Sequence, residues 1–187
     1  MLIEIINYQD RWPLEYRSIA EAIRKAVGEN VQAIHHIGST AVPGLAAKDI
    51  IDVQLTVAEL PAQSEASIGE VGFELGASVA DHYPTGTFLS ADQLAKRFYT
   101  HAEPAAHIHV RQAGRFNQRY PLLCRDYLRA HPSARDAYEE IKRQLAARFP
   151  QDKAVYYAVK DPVFDLIIVG AEDWARQINW TIPPADE

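Results

Sequence analysis

Residues 34–57, IHHIGSTAVPGLAAKDIIDVQLTV, decide how this chain must be built. The two ends of the stretch are apolar and β-branched, the composition of strands inside a sheet. Between them Gly38, Pro43 and Gly44 punctuate a shaped loop. Gly38-Ser39 closes the first strand, where a residue without a Cβ lets a ligand approach the backbone and successive N–H groups, with the Ser39 hydroxyl, can cradle a phosphate. The second strand carries a carboxylate, Asp52, where an unpaired charge is costly to bury. A hard cation such as Mg²⁺ binds through one or two carboxylates plus phosphate oxygens. Read together, one element would hold a triphosphate and the other its metal; read separately, the pair is a turn and the aspartate a cap or ion-pair partner.

Working outward, residues 10–27 (DRWPLEYRSIAEAIRKAV) form a helix that Pro13 can open, with Leu14, Ile19, Ala22, Ile23 and Ala26 near one face. Residues 59–72 make a short helix, followed by a short strand near Phe73. Residues 76–92 lack a period, and a loop this long inside a compact domain is often functional. LAKRFYTH (94–101) and AAHIHVR (105–111) pair as a hairpin. From about residue 115 the pattern is helical: RYPLLCRDYLRAHP, then SARDAYEEIKRQLAARF with Ser133 placed to cap it, then DKAVYYAVK. Asp161-Pro162 breaks that last helix and starts another, running to about Gln177. The tail NWTIPPADE is irregular. This order gives an α+β fold in one domain, residues 1–187, whose helical C-terminal half covers about 115–178.

Composition removes several classes. A length of 187 residues, 48% hydrophobic, suits one sizeable core. A net charge of −6 makes nucleic acid an unexpected partner. A single cysteine, Cys124, excludes intrachain disulfides and cysteine-based zinc sites. The N-terminal run has no basic flank and includes Glu4, unlike a signal peptide, and the run LIIVGA is too short to span a bilayer. A cytoplasmic protein without membrane contact is expected.

Further candidates surround the first pair. His107 and His109 share a strand face, because side chains alternate with a period of two, and can share a metal, orient a phosphate or exchange a proton; as structural residues they would simply be hydrogen-bonded. His35 and His36 point to opposite faces, so at most one meets the site. Lys96, Arg97, Arg111, Arg125, Arg129 and Lys160 supply positive charge, with Arg suited to bidentate phosphate contact, although such residues are mostly solvated. Tyr156 and Tyr157 read as core and rim.

HIGSTAVPGLAAKDIID, HIHV, RDYLRAHPSARDAYEEIKRQLAARFP and the Tyr157, Lys160, Phe164 spacing closely resemble the GrpB family, over nearly the whole chain. That family looks like a branch of the nucleotidyltransferase superfamily and also occurs fused to dephospho-CoA kinase. The resemblance implies a nucleotidyltransferase-like mixed β-sheet flanked by helices. It maps Gly38, Ser39 and the adjoining Thr40 onto the phosphate-binding element, Asp52 onto the first metal carboxylate, and Lys96, Arg97 and Lys160 onto basic positions near the cleft. Where the superfamily has a second carboxylate, this chain has Gln54, which offers an oxygen but no charge. Asp49, on the opposite face from Asp52, is a poor substitute. His107 or His109 stands where a third carboxylate is expected, and imidazole suits Mn²⁺ or Zn²⁺ better than Mg²⁺.

The resemblance implies a nucleoside triphosphate bound with Mg²⁺ or Mn²⁺ at Asp52, His107 and His109. The nucleotidyl group would pass to a small molecule, with His109 as proton acceptor. The alternatives are a module that binds a nucleotide or CoA-type phosphate ligand without turnover, and a His/Asp metal-dependent hydrolase.

Overall fold

A computed structural model describes residues 2–60, 65–76 and 81–186, without the side chains of 65 and 66. Parts of the expected 59–72 helix and 76–92 loop therefore lie outside the described residues. Among the described residues, five strands form one mixed sheet in the order β1-β2-β5-β4-β3. They are β1 (Ala33–Ile37), β2 (Ile51–Val57), β3 (Glu74–Leu75), β4 (Lys96–His101) and β5 (Ala106–Gln112). β2 and β5 run parallel, and the other neighbours are antiparallel. The chain thus forms the expected β4–β5 hairpin and inserts its last strand beside β2, in the middle of the sheet.

Alternation gives the sheet two unlike faces. Ile34, Val53, Leu55, Ile108 and Val110 pack with Trp12, Tyr16, Ile19, Ile23 and Val27 of α1 (Trp12–Val27) and with Ile68 of α2 (Glu65–Glu70). Each such aliphatic side chain contributes about 1.5–3 kcal/mol by leaving water. The buried stripe on α1 differs from the expected one. Leu14 is 58% exposed and Ala22 is also exposed, because the two aromatic residues, at i and i+4, set which way the helix turns.

The opposite face carries Asp52, Gln54, His107, His109, Arg111 and Lys96, and the helical half covers it. That half comprises α4 (Phe116–Ala130), α5 (Pro132–Arg148) and α6 (Lys153–Ile178), preceded by the short α3 (Ala91–Leu94). Leu123, Leu128, Tyr138, Ile167, Ile168 and Ala171 form a second apolar cluster among the three. Two expected boundaries are corrected. Ser133 lies inside α5, because Pro132 with its preset φ already occupies the first turn and His131 is the N-cap. α6 continues through Asp161-Pro162 without a break. Its packing on α4 and α5 outweighs the lost hydrogen bond at proline, and Asp161 pairs with Lys160 at 2.8 Å instead of capping. The cap is Asp152, whose carboxylate accepts from the Val155 N–H at 2.9 Å. No described helix is long and apolar enough to cross a membrane.

The tail after α6 is irregular, as expected, but it is fastened. The Asp186 carboxylate accepts from the His36 N–H at 2.8 Å and from Arg125 Nη1 at 2.6 Å. The Asp186 N–H donates to the Ile34 carbonyl at 3.1 Å. The tail therefore covers the outer edge of β1, which would otherwise present unpaired backbone groups. Arg125 is 3% exposed, so Asp186→Ala should cost about 1–3 kcal/mol by leaving a buried guanidinium short of a partner. Urea unfolding of the variant measures this, and an unchanged midpoint would show that the tail carries no load.

Candidate functional site

Gly38 follows β1 with φ 71°, a conformation that favours glycine. A Cβ built there would sit 2.5 Å from Asp52 Oδ2. The carboxylate thus occupies the space that the missing side chain leaves, across the pairing of Ile37 with Asp52. On its other side β5 aligns His107 with Asp52 and His109 with Gln54. His107 Nδ1 lies 3.2 Å and His109 Nε2 3.4 Å from Asp52 Oδ1. Burial opposes the charge on Asp52, but the hydrogen bonds from the two imidazoles outweigh it and hold the carboxyl well below its ordinary pKa.

The nitrogens of His109 have different neighbours. Nδ1 is 3.4 Å from Arg111 Nη2. A guanidinium only donates, so Nδ1 accepts and the ring proton sits on Nε2, facing Asp52. Burial, followed by the charge of Arg111, lowers the His109 pKa to about 4. His109 is therefore a neutral donor that keeps Asp52 ionised.

Position 54 is closed. Gln54 Nε2 donates to the Gln118 carbonyl of α4 at 2.9 Å, and its Oε1 accepts from Arg111 Nη1 at 2.7 Å. Arg111 in turn makes a two-pronged pair with Asp81, at 2.9 and 3.0 Å. Asp81 also takes Lys96 and the Asn117 amide. Burial raises the Asp81 pKa, and the two cations more than reverse it.

The loop after Gly38 is held from the helical side. Arg125 Nη1 donates to the His36 carbonyl at 2.8 Å, and Arg129 donates to the Ala41 carbonyl at 2.9 and 2.7 Å. Glu139 accepts from the Ala46 N–H at 2.7 Å. Lys142 donates to Ser39 Oγ at 3.0 Å and to the Ala46 carbonyl at 2.5 Å. His36 stacks on Tyr16 at 4.7 Å and meets Thr40 Oγ1 at 3.0 Å. The Thr40 hydroxyl is thus engaged within the loop.

These elements enclose a cleft of about 400 Å³. Gly38, Ser39, Thr40, Asp52, Lys96, His107, His109 and Lys160 all line it. Arg97 does not: it pairs with Val110 in the sheet register and lies on the apolar face, whereas Lys96 pairs with Arg111. Arg125 and Arg129 hold backbone carbonyls. Neither His35 nor His36 lines the cleft, and Asp49 turns outward to Arg11 and the Trp12 indole. The sequence reading missed two residues. Lys142 falls with Tyr138 and Leu145 on the buried stripe of α5, so its i, i+4, i+7 position was the available signal. Asp81 comes from the aperiodic loop and carries no local signal.

The fold and its cleft define a class: an α+β domain whose mixed sheet presents an Asp-His-His cluster to a helical cover. The GrpB protein family profile matches residues 2–169. The chain belongs to the GrpB family. It is 32% identical over 195 residues to a dephospho-CoA kinase of Mycolicibacterium paratuberculosis, covering 95% of this chain and 48% of that protein. It is also 32% identical over 180 residues to UPF0157 protein YqkA of Bacillus subtilis, covering 95% and 49%. The chain therefore spans about half the length of these relatives. The crystal structure of the GrpB protein of Enterococcus faecalis superposes with a TM-score of 0.74 at 27% identity, over 91% of this chain and 99% of that one.

Gly38→Ala should cost several kcal/mol, roughly 3 or more, because strain at positive φ adds to a clash with Asp52. Gly28→Ala is the control, since Gly28 has φ 60° and nothing within 4 Å of its added Cβ. Equal losses in thermal unfolding would remove the carboxylate from the explanation. A second expectation concerns acid. Burial lowers the His36 pKa from 6.5 to about 4, so the unfolded chain takes the proton first as pH falls. Its share of stability is intact above about pH 6.5 and lost towards pH 4, on the order of 3 kcal/mol. Denaturant unfolding across that window measures the loss, which His36→Gln should reduce.

Proposed function

We propose that the cleft binds a nucleoside triphosphate with a divalent cation and transfers the nucleotidyl group to a small molecule, adenylation of a carboxylate being one form of that chemistry. The observation that supports this most is the packing of the Gly38 bend directly onto Asp52, both lining a cleft with basic residues along its helical wall. Asp52, His107 and His109 each offer an atom within 4.8 Å of the others. That donor set suits one cation that accepts imidazole nitrogen beside carboxylate oxygen, Mn²⁺ in preference to Mg²⁺. It does not suit a two-metal site, because the Gln54 oxygen is committed to Arg111.

A bound cation would neutralise charge on the phosphate oxygens at the reacting phosphorus. The rest falls to this chain's side chains. Asp52 is kept ionised by two imidazoles, so it is ready at neutral pH. Asp52 and His107 are the favoured ligand pair, since coordination through His109 Nε2 would move its proton to Nδ1, against Arg111. For the same reason His109 orients Asp52 and does not take the acceptor's proton. Ser39 and Lys160 meet the anionic tail, while Lys96 shares its charge with Asp81. In-line displacement needs mainly positioning and charge neutralisation, which such a rigid site supplies.

A second reading, a module that holds a nucleotide or CoA-type phosphate ligand without turnover, is favoured by the closed position at Gln54. The mycobacterial relative named dephospho-CoA kinase supports the CoA-type form. Incubation with each triphosphate and Mn²⁺ or Mg²⁺, with a metabolite pool as acceptor, separates the readings. Transfer releases pyrophosphate, and Asp52→Ala should lower that release at least about 100-fold. Thermal stabilisation without pyrophosphate supports the module, and release of inorganic phosphate points to a hydrolase.

A further inference from the structure

The cations of the cleft are unequally matched. Lys96 and Arg111 share Asp81, Lys160 has Asp161, and Arg125 has Asp126 and Asp186. Lys142 of α5 is only 2% exposed, yet no carboxylate lies within ion-pair distance of it among the described residues. Its ammonium donates to two neutral oxygens, Ser39 Oγ and the Ala46 carbonyl. It also lies 4.6 Å from the ring centroid of Tyr138, which is itself hydrogen-bonded to Ser39. The nearest acid, Glu139 on the same helix, is engaged by the Ala46 N–H and Arg143 Nε. Arg143, Lys160 of α6 and Lys48 of the loop add repulsion. Proteins rarely bury a charge unless something pairs with it, and this one faces a cleft.

We propose that Lys142 and Ser39 form the seat for an anionic group, a phosphate or a carboxylate, on the ligand of this cleft, whose charge supplies the counter-ion that Lys142 lacks. Lys142 donates into Ser39 Oγ; of the two hydroxyls that meet there, Ser39 and Tyr138, one proton bridges them and the other is left to donate to the ligand. One buried charge thus serves two contacts, and the ligand pairs an ammonium whose water is already removed. The inference deepens the reading above, since the ligand is the same, but it requires neither metal nor nucleobase and can stand or fall separately.

Protonation follows. Burial lowers the ligand-free Lys142 pKa to about 7, and an anion beside it stabilises the charged form. Binding therefore takes up a proton above pH 7 and weakens as pH rises.

The test uses the whole protein, metal-free in EDTA, with inorganic sulfate standing for a phosphate group and succinate for a carboxylate; neither probe titrates between pH 7 and 9. Dissociation constants are read from ligand-dependent thermal stabilisation. Affinity for the accepted anion should fall by up to about tenfold per pH unit above 7.5. Lys142→Arg, which cannot lose its charge, should bind without that pH dependence. Lys142→Met should bind at least about tenfold more weakly while unfolding at the same temperature or higher, since it no longer buries a charge. Preference for sulfate assigns a phosphate, and preference for succinate a carboxylate. The proposal is overturned if neither anion binds, if wild-type affinity is flat from pH 7 to 9, or if folded Lys142→Met binds as wild type does. Should both variants fail to fold, the wild-type pH profile decides.

Discussion

A carboxylate in the middle of a central strand must be met by donors, and the rest of this molecule is arranged around that constraint. Asp52 cannot be supplied from β1, where Gly38 offers only room. Its donors come from β5, which reaches it because β5 is inserted parallel to β2 with His107 in register. That insertion concentrates polar side chains on one face of the sheet, beside Ile37 and Phe98. Apolar helices alone cannot pack such a surface, so α4 meets it with the Gln118 carbonyl on Gln54 and the Asn117 amide on Asp81, and the apolar residues of the helical half gather in a core of their own.

The loop at residues 38–48 shows what this arrangement achieves. Its conformation is not secured by its own sequence, which is rich in small residues. Side chains from α4 and α5 hold the carbonyls of His36, Ala41 and Ala46 and the N–H of Ala46. The entropy of ordering the loop is thus met during folding, and a ligand arrives at a fixed surface. The tail adds to this: Asp186 ties Arg125, a support of the loop, to the edge of β1.

Charge is distributed unevenly across the cleft. On the sheet side Asp81, Lys96 and Arg111 form a network that Gln54 joins and that reaches Asp52 through His109. An amide there can join Gln118 to Arg111 without adding negative charge, whereas a carboxylate would repel Asp52. On the helical side the balance is positive and incomplete at Lys142. A ligand that brings negative charge to the helical wall suits both sides.

The family, the α+β class, the hairpin, the shared face of His107 and His109 and the pairing of the glycine bend with Asp52 were all readable in the residues, because alternation, turn chemistry and motif spacing are local. Local signals failed where packing or distance decides. Pro162 did not break α6, since its neighbours hold the helix together, and Arg97 lies on the apolar face because strand register, one residue at a time, selects the face. The closure of Gln54 by Arg111 and Gln118, the arrival of Asp81 from an aperiodic loop, the docking of Asp186 on a strand 150 residues earlier and the isolation of Lys142 could be settled only by the tertiary structure. Each depends on which distant charges are brought together in a dry interior, and a chain's spacing does not encode that distance.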